Sequence, residues 1–216
     1  MCGRFTLRTP MRDVAKYFNF TEIAGLNPSY NVAPTTQVLV IRESGPSLMN
    51  WGLVPRWAKD PKAGQINARA ETAAEKPMFR DLFKKRRCLI VADGFFKWAK
   101  VDGKKLPFYF RMKDSHPFAF AGIWDQWQDL ETCALLTTSP NDLVKPVHDR
   151  MPVILGQADY PNWIDTSVQD AEQVKYMLDP YPADQMVGYA VNPKVNSVRN
   201  NDPECIEPVK QQTELF

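Results

Sequence analysis

Apolar and polar positions alternate along this chain in short segments. Met11, Val14, Ala15 and Phe18 recur at helical spacing and predict a short helix over 10–18. Strands are predicted over 37–41 and, after a turn at Gly45-Pro46, in a segment ending near Trp51. Residues 88–92 form a short apolar run that reads as a buried strand. Residues 94–100 and 106–112 flank Asp102-Gly103 and read as a hairpin. Further strands are predicted over 118–124, 132–138 and 187–191, with helical segments beginning at 141–144 and covering 161–164 and 168–178. The 18 prolines break up any long element. Many short strands, few helices and no regular βα alternation predict an α+β fold. The expected form is a compact single domain over 1–216, with a curved, barrel-like antiparallel β core and peripheral helices.

Composition changes this picture little. The 216 residues, 44% hydrophobic and 24% charged, are enough to bury a substantial core. A net charge of +2 neither requires nor excludes nucleic acid, because distribution decides. Lys84, Lys85, Arg86 and Arg87, with Arg80 upstream, read most simply as the solvated face of a loop. Of the four cysteines, Cys88 and Cys133 sit in apolar runs and no CxxC pair suggests a zinc ribbon. Charged residues at Arg4 and Arg8 argue against a secretory signal, and no apolar run is long enough to span a membrane. A reduced, cytoplasmic setting is expected, with thiols available for chemistry.

Three segments carry candidate chemistry. Cys2 follows the initiator methionine, and loss of Met1 would leave a thiol beside a free α-amine. An amine of that kind titrates at about 7.7–8.0 against about 10.4 for lysine, so far more of it is free base at neutral pH. It can condense with an aldehyde, and the thiolate can then close a five-membered thiazolidine ring. A guanidinium such as that of Arg4 would favour the thiolate. Asn67 and Arg69, two apart in an extended stretch, face one way and suit a sugar hydroxyl and a phosphate. His148 lies in the polar loop Val147-His148-Asp149-Arg150 and can exchange protons near neutrality. Trp51, Trp57 and Trp98 fall in or near loops where unpaired bases could stack, whereas Trp124, Trp127 and Trp163 read as core. Each segment alone also has a plain structural reading.

Together they resemble the SOS-response-associated peptidase family. The matching stretches run in order through the chain: Met1-Cys2-Gly3-Arg4-Phe5, Tyr30-Asn31-Val32-Ala33-Pro34, Trp51-Gly52-Leu53-Val54-Pro55 with Trp57, Asn67-Ala68-Arg69-Ala70-Glu71-Thr72, Ala92-Asp93-Gly94-Phe95-Phe96 with Trp98, His148-Asp149-Arg150-Met151-Pro152, and Val195-Asn196-Ser197. The resemblance implies a protein that senses abasic sites in single-stranded DNA and crosslinks to them through Cys2 after Met1 is lost, shielding the lesion. Peptidase activity toward its own Met1 and a lyase-type activity are also implied. Cys2, Asn67 and His148 would do the chemistry. Arg4, Asn31, Pro34, Trp57, Arg69, Trp98, Thr137, Arg150 and Ser197 would line the DNA path in a positively charged groove. No metal or organic cofactor is implied, and a monomer is expected.

One position departs from the pattern. The family usually carries glutamate before the tryptophan of its Gly-Phe-Tyr-Glu-Trp segment, and here that position is Lys97. A lysine there would favour a neighbouring thiolate but could not accept a proton as carboxylate does, unless burial made it a base. Two other classes stay open: a cysteine peptidase acting on other proteins through Cys2 and His148, and a non-covalent binder of modified bases in DNA.

Overall fold

The computed structural model describes residues 2–60, 64–101 and 103–209. The chain runs β1 (Phe5–Leu7), α1 (Met11–Phe18), β2 (Ser29–Val32), β3 (Gln37–Arg42), β4 (Gly45–Trp51), β5 (Asn67–Arg69), α2 (Ala70–Ala73), α3 (Arg80–Lys85), β6 (Arg87–Ala92), β7 (Gly94–Val101), β8 (Lys104–Met112), β9 (Phe118–Trp127), β10 (Leu130–Thr138), β11 (Met151–Pro152), β12 (Ile154–Leu155), α4 (Tyr160–Ile164) and β13 (Met186–Ala190).

Two sheets form the core. In the larger, β4, β3, β6, β9 and β10 pair in that order, and β10 returns to β4 through parallel partners Thr132↔Asn50 and Cys133↔Trp51, closing a ring. The smaller sheet has the order β13-β8-β7-β1-β2. Period-two alternation sorts the side chains of the larger sheet. Val38, Val40, Cys88, Ile90 and Phe120 pack with Phe5, Phe95 and Phe110 of the smaller sheet. Leu39, Ile41, Leu89, Val91 and Ala121 pack with Val14 of α1, Leu82 and Phe83 of α3 and Trp163 of α4. The result is the expected α+β arrangement of a barrel-like β core with peripheral helices.

Several expectations need correction. The pairings of β10 with β4 and β5 are parallel, not antiparallel. Residues 141–144 open a run of turns, capped by the Asn141 side chain on the Val144 N–H at 3.0 Å, and no helix follows. The helix expected over 168–178 is a 3-10 helix, Ala171–Leu178, which buries Val174 and Met177 three residues apart as that geometry demands. The basic run is no loop face. Lys84 and Lys85 end α3, and Arg87 is buried, its guanidinium taken by the carbonyls of Phe83, Lys84, Trp163, Asp165 and Val168. Trp51 is wholly buried on β4 against Phe5, with ring centroids 5.0 Å apart, so no base can reach it. The β7–β8 hairpin forms as expected, although Asp102 in its turn lies outside the described residues.

Candidate functional site

Four separate elements converge at the start of β1. Cys2 leads into that strand, Asn67 opens β5, Lys97 sits on β7 opposite Phe108, and His148 lies in the turns between β10 and β11. Pairing of β5 with β10, Asn67 against Leu135, brings the Asn67 amide to the chain start, where Nδ2 donates to the Cys2 carbonyl at 2.9 Å. The other end of that amide, Oδ1, is buried and has no hydrogen-bond partner among the described residues. Cys2 and Lys97 are both closed to solvent. The Cys2 thiol points at the Arg4 carbonyl, 3.9 Å from Sγ. The Lys97 amine makes no hydrogen bond among the described residues.

Electrostatics follow from this burial. Desolvation pushes the Cys2 thiol above its ordinary value, and Lys97 opposes that rise without cancelling it. Burial also holds the Lys97 amine below the ordinary lysine range, while Cys2 and Asp149 favour its charged form and Arg150 disfavours it. Burial thus favours the neutral form of both groups relative to water, while each favours the charged form of the other. Desolvation, then Lys97, brings His148 down to about 4. Its Nδ1 lies 3.0 Å from the Arg150 N–H and 2.8 Å from the Asp149 carboxylate. These two neighbours ask for opposite protonation states. The neutral form prevails, since Asp149 is 88% exposed and well screened.

The expected thiolate-stabilising role of Arg4 is not what the structure shows. Its guanidinium donates to Asn31 Oδ1 at 2.7 Å and to the Val195 carbonyl at 3.0 Å, and the cation-forming group acting on the thiol is Lys97. Asn31 is nearly buried and spends its amide on the carbonyls of Val195, Ser197 and Asn200, so with Ser197 it positions Arg4. Arg150 forms a two-pronged pair with Glu71 at 2.6 and 2.8 Å and bonds the Thr137 carbonyl, and Thr137 is buried. Arg69 is exposed on the face of β5 that carries Asn67. Trp57 is 68% exposed and lines a separate cavity of about 360 Å³ with Arg56, Lys85 and Arg86. Pro34 lines another, of about 590 Å³, beside β2 and β3.

The cavity at the chain start measures about 580 Å³ and is lined by Gly3, Arg4, Trp98, Lys100, Lys105, His148 and Asn196. Trp98 is fixed there by its indole N–H on Asn196 Oδ1 at 2.6 Å. Lys100 and Lys105 were missed from sequence. Their signal was available: Lys100 is two residues from Trp98 on a strand, and the hairpin register sets Lys105 opposite it. Glu71 as partner of Arg150 was equally unseen. Among the described residues no group of three His, Cys, Asp or Glu side chains is placed to hold a metal ion. A cavity walled by three basic side chains, one tryptophan and a half-buried imidazole, over a buried thiol and amine, suits an anionic chain carrying an electrophilic carbon.

Comparisons with known proteins identify the family and the fold. The family model described as SOS response associated peptidase (SRAP) matches residues 1–198. The abasic site processing protein YoqW of Bacillus subtilis is 43% identical over 222 residues, covering 96% of this chain and 99% of that protein. The abasic site processing protein YedK of Escherichia coli is 32% identical, covering 97% of this chain and all of that protein, 100%. A solved protein from Bacteroides thetaiotaomicron superposes with a TM-score of 0.88 at 28% identity, covering 96% of this chain and 100% of its own.

Proposed function

This chain belongs to the SOS response associated peptidase family, and we propose that it processes abasic sites in single-stranded DNA by forming a covalent thiazolidine through Cys2. Met1, whose loss the reaction requires, lies outside the described residues. Its removal, by maturation or by the chain's own cleavage, would free the α-amine. The observation that carries the reading is the Asn67 amide. One end holds the Cys2 carbonyl at 2.9 Å, and the other presents a buried oxygen with no partner among the described residues. A buried acceptor left unsatisfied is costly. An α-amine on residue 2, or a sugar hydroxyl, would satisfy it and be aimed by it.

In the sequence of events we favour, DNA phosphates lie along Arg4, Lys100, Lys105 and Arg69, and a base next to the lesion stacks on Trp98. Neutral His148 moves a proton between the sugar's ring oxygen and hydroxyl, opening the hemiacetal to the aldehyde. The residue 2 amine adds to the aldehyde carbon and water leaves, giving an imine. Sγ then adds to the imine carbon, its proton passing to the nitrogen, and the five-membered ring closes. Arg150, held by Glu71 and Thr137, positions His148 through its own N–H on Nδ1. The adduct would shield the lesion from strand cleavage and copying. The test is denaturing electrophoresis after mixing with single-stranded DNA bearing one abasic site. A surviving complex, absent in Cys2→Ala, supports the reading. An unchanged complex in Cys2→Ala refutes it, and cleavage of unrelated peptides without any complex would favour a general cysteine peptidase.

A further inference from the structure

Lys97 has no assigned part in these steps, and its environment is unusual for a lysine. The side chain is 0% exposed, on the same face of β7 as buried Phe95 and opposite Phe108. Nζ has no hydrogen-bond partner among the described residues. A buried ammonium would leave three donors and a full charge uncompensated, whereas a neutral amine leaves only weak donors behind. The groups acting on it are Cys2, Asp149, Arg150 and His148. Cys2 and Asp149 are the two that favour its charged form; burial pushes the Cys2 thiol toward neutrality and Asp149 lies largely in solvent. A neutral primary amine is a nucleophile toward an aldehyde or an imine carbon.

Lys97 is closed to bulk solvent, so free aldehydes cannot reach it. An electrophilic carbon attached to residue 2 would lie beside it, because β7 runs along the chain start, with the Phe96 N–H on the Arg4 carbonyl at 3.1 Å and Phe95 opposite Phe5. We infer that Lys97 is a second amine that carries the abasic sugar, receiving it from residue 2 by imine exchange, an inference that rests on the function proposed above. The step balances without any further reactant. Nζ adds to the carbon of the residue 2 imine, and the proton lost by Nζ is taken up by Nα. The carbon–Nα bond then breaks, Nα departs with the bonding electrons and takes up the second Nζ proton to leave as a free amine, and a carbon–Nζ double bond forms. The thiazolidine ring needs amine and thiol on adjacent carbons, an arrangement Lys97 cannot offer. The sugar on Lys97 therefore stays an open imine, which water can hydrolyse, and the exchange gives the crosslink a route to release.

The test uses Cys2→Ala, which keeps the residue 2 amine but cannot close the ring, so the imine persists and exchange can be seen. The full-length protein is incubated with single-stranded DNA carrying one abasic site, reduced with sodium borohydride, digested and mapped by tandem mass spectrometry. A reduced sugar adduct on Lys97 is expected beside one on residue 2. The Lys97 adduct should be lost completely in Cys2→Ala/Lys97→Met, with the residue 2 adduct retained. An adduct confined to residue 2 in Cys2→Ala overturns the inference and leaves the proposed function standing. Absence of any adduct in the wild-type protein, with or without borohydride, overturns the proposed function and this inference with it.

Discussion

Asn67 Nδ2 donates to the main-chain carbonyl of Cys2 at 2.9 Å, tying β5 to the residue that precedes β1. Sixty-five residues separate the two in sequence, and the bond exists because β5 pairs in parallel with β10. It fixes the position of Cys2, the proposed nucleophile, by way of that residue's own backbone. Asn67→Asp turns the donor into an acceptor facing a carbonyl oxygen. Single-turnover crosslinking should fall by about 10²-fold, the cost of a nucleophile displaced by about 1 Å. The melting temperature should change only as far as one lost hydrogen bond allows, about 1 kcal/mol. A rate within threefold or so of wild type would show that Asn67 does not aim the amine.

His148 is expected to act as a neutral group. His148→Ala should slow crosslinking by about 10²–10⁴-fold with DNA affinity nearly intact. Its native value of about 4 lies below the ordinary 6.5, so as pH falls the unfolded chain takes up its proton first. The stabilisation from this residue is therefore complete above 6.5 and is lost as pH drops toward 4. Urea unfolding at several pH values should show the wild type losing stability over that window more steeply than His148→Ala. Parallel profiles would mean that the imidazole is not desolvated as described.

Lys97 shifts in the same direction for the same reason. Burial lowers its native value, so between that value and the ordinary lysine value the unfolded chain holds more protons and stability rises with pH. Lys97→Met removes that slope, and at pH 7 it should be neutral or stabilising, as replacement of buried charge-forming groups by apolar ones often is. The comparison is urea unfolding of both proteins at pH 7 and near pH 10; a gap between them that does not narrow or reverse in favour of wild type contradicts the burial argument. Lys97→Glu restores a carboxylate that can accept protons. Reversal in that variant should no longer pass through an imine that borohydride traps at position 97 and should instead follow ionisation of the carboxylate, and identical formation and reversal kinetics with an unchanged pH profile would refute any part for this position.

Phosphate contacts in the cavity should make binding salt-sensitive. Each of Lys100→Ala and Lys105→Ala should reduce the slope of log affinity against log salt by about 0.7, the value for a single-strand contact. Intact duplex should compete poorly, since flipping a nucleotide from a paired stack costs a few kcal/mol. Unchanged slopes in both variants, read by fluorescence anisotropy, would place the DNA elsewhere.

The longer strands were largely legible because short apolar runs bounded by turn residues mark them, as in β3, β6 and β9, whereas the short β1 and β2 were not predicted. Elements held by tertiary contact were not. β5 is three residues long and exists only through its pairing with β10, and α2 and α3 carry too few turns for periodicity to show. Arg87 looked exposed because charge in a basic run reads as surface. It is buried because five main-chain carbonyls converge on it, a fact no local pattern contains. At the site, Cys2, Asn67, Lys97 and His148 were recognised from motif order, and the fold brings all four together. The division of the arginines was illegible. Arg4 and Arg150 are spent on Asn31 and Glu71, partners 27 and 79 positions away. Lys100 and Lys105 face the cavity beside Arg4, through a hairpin register that sequence only suggested.

The central claim is a ring formed on residue 2, and intact mass spectrometry of the protein mixed with single-stranded abasic DNA tests it most directly. The account predicts one new species, equal to the protein without Met1 plus the DNA strand minus one water, persisting without borohydride and absent in Cys2→Ala without borohydride. Recovery of only the two unlinked masses, or the same borohydride-independent species in Cys2→Ala, would contradict it.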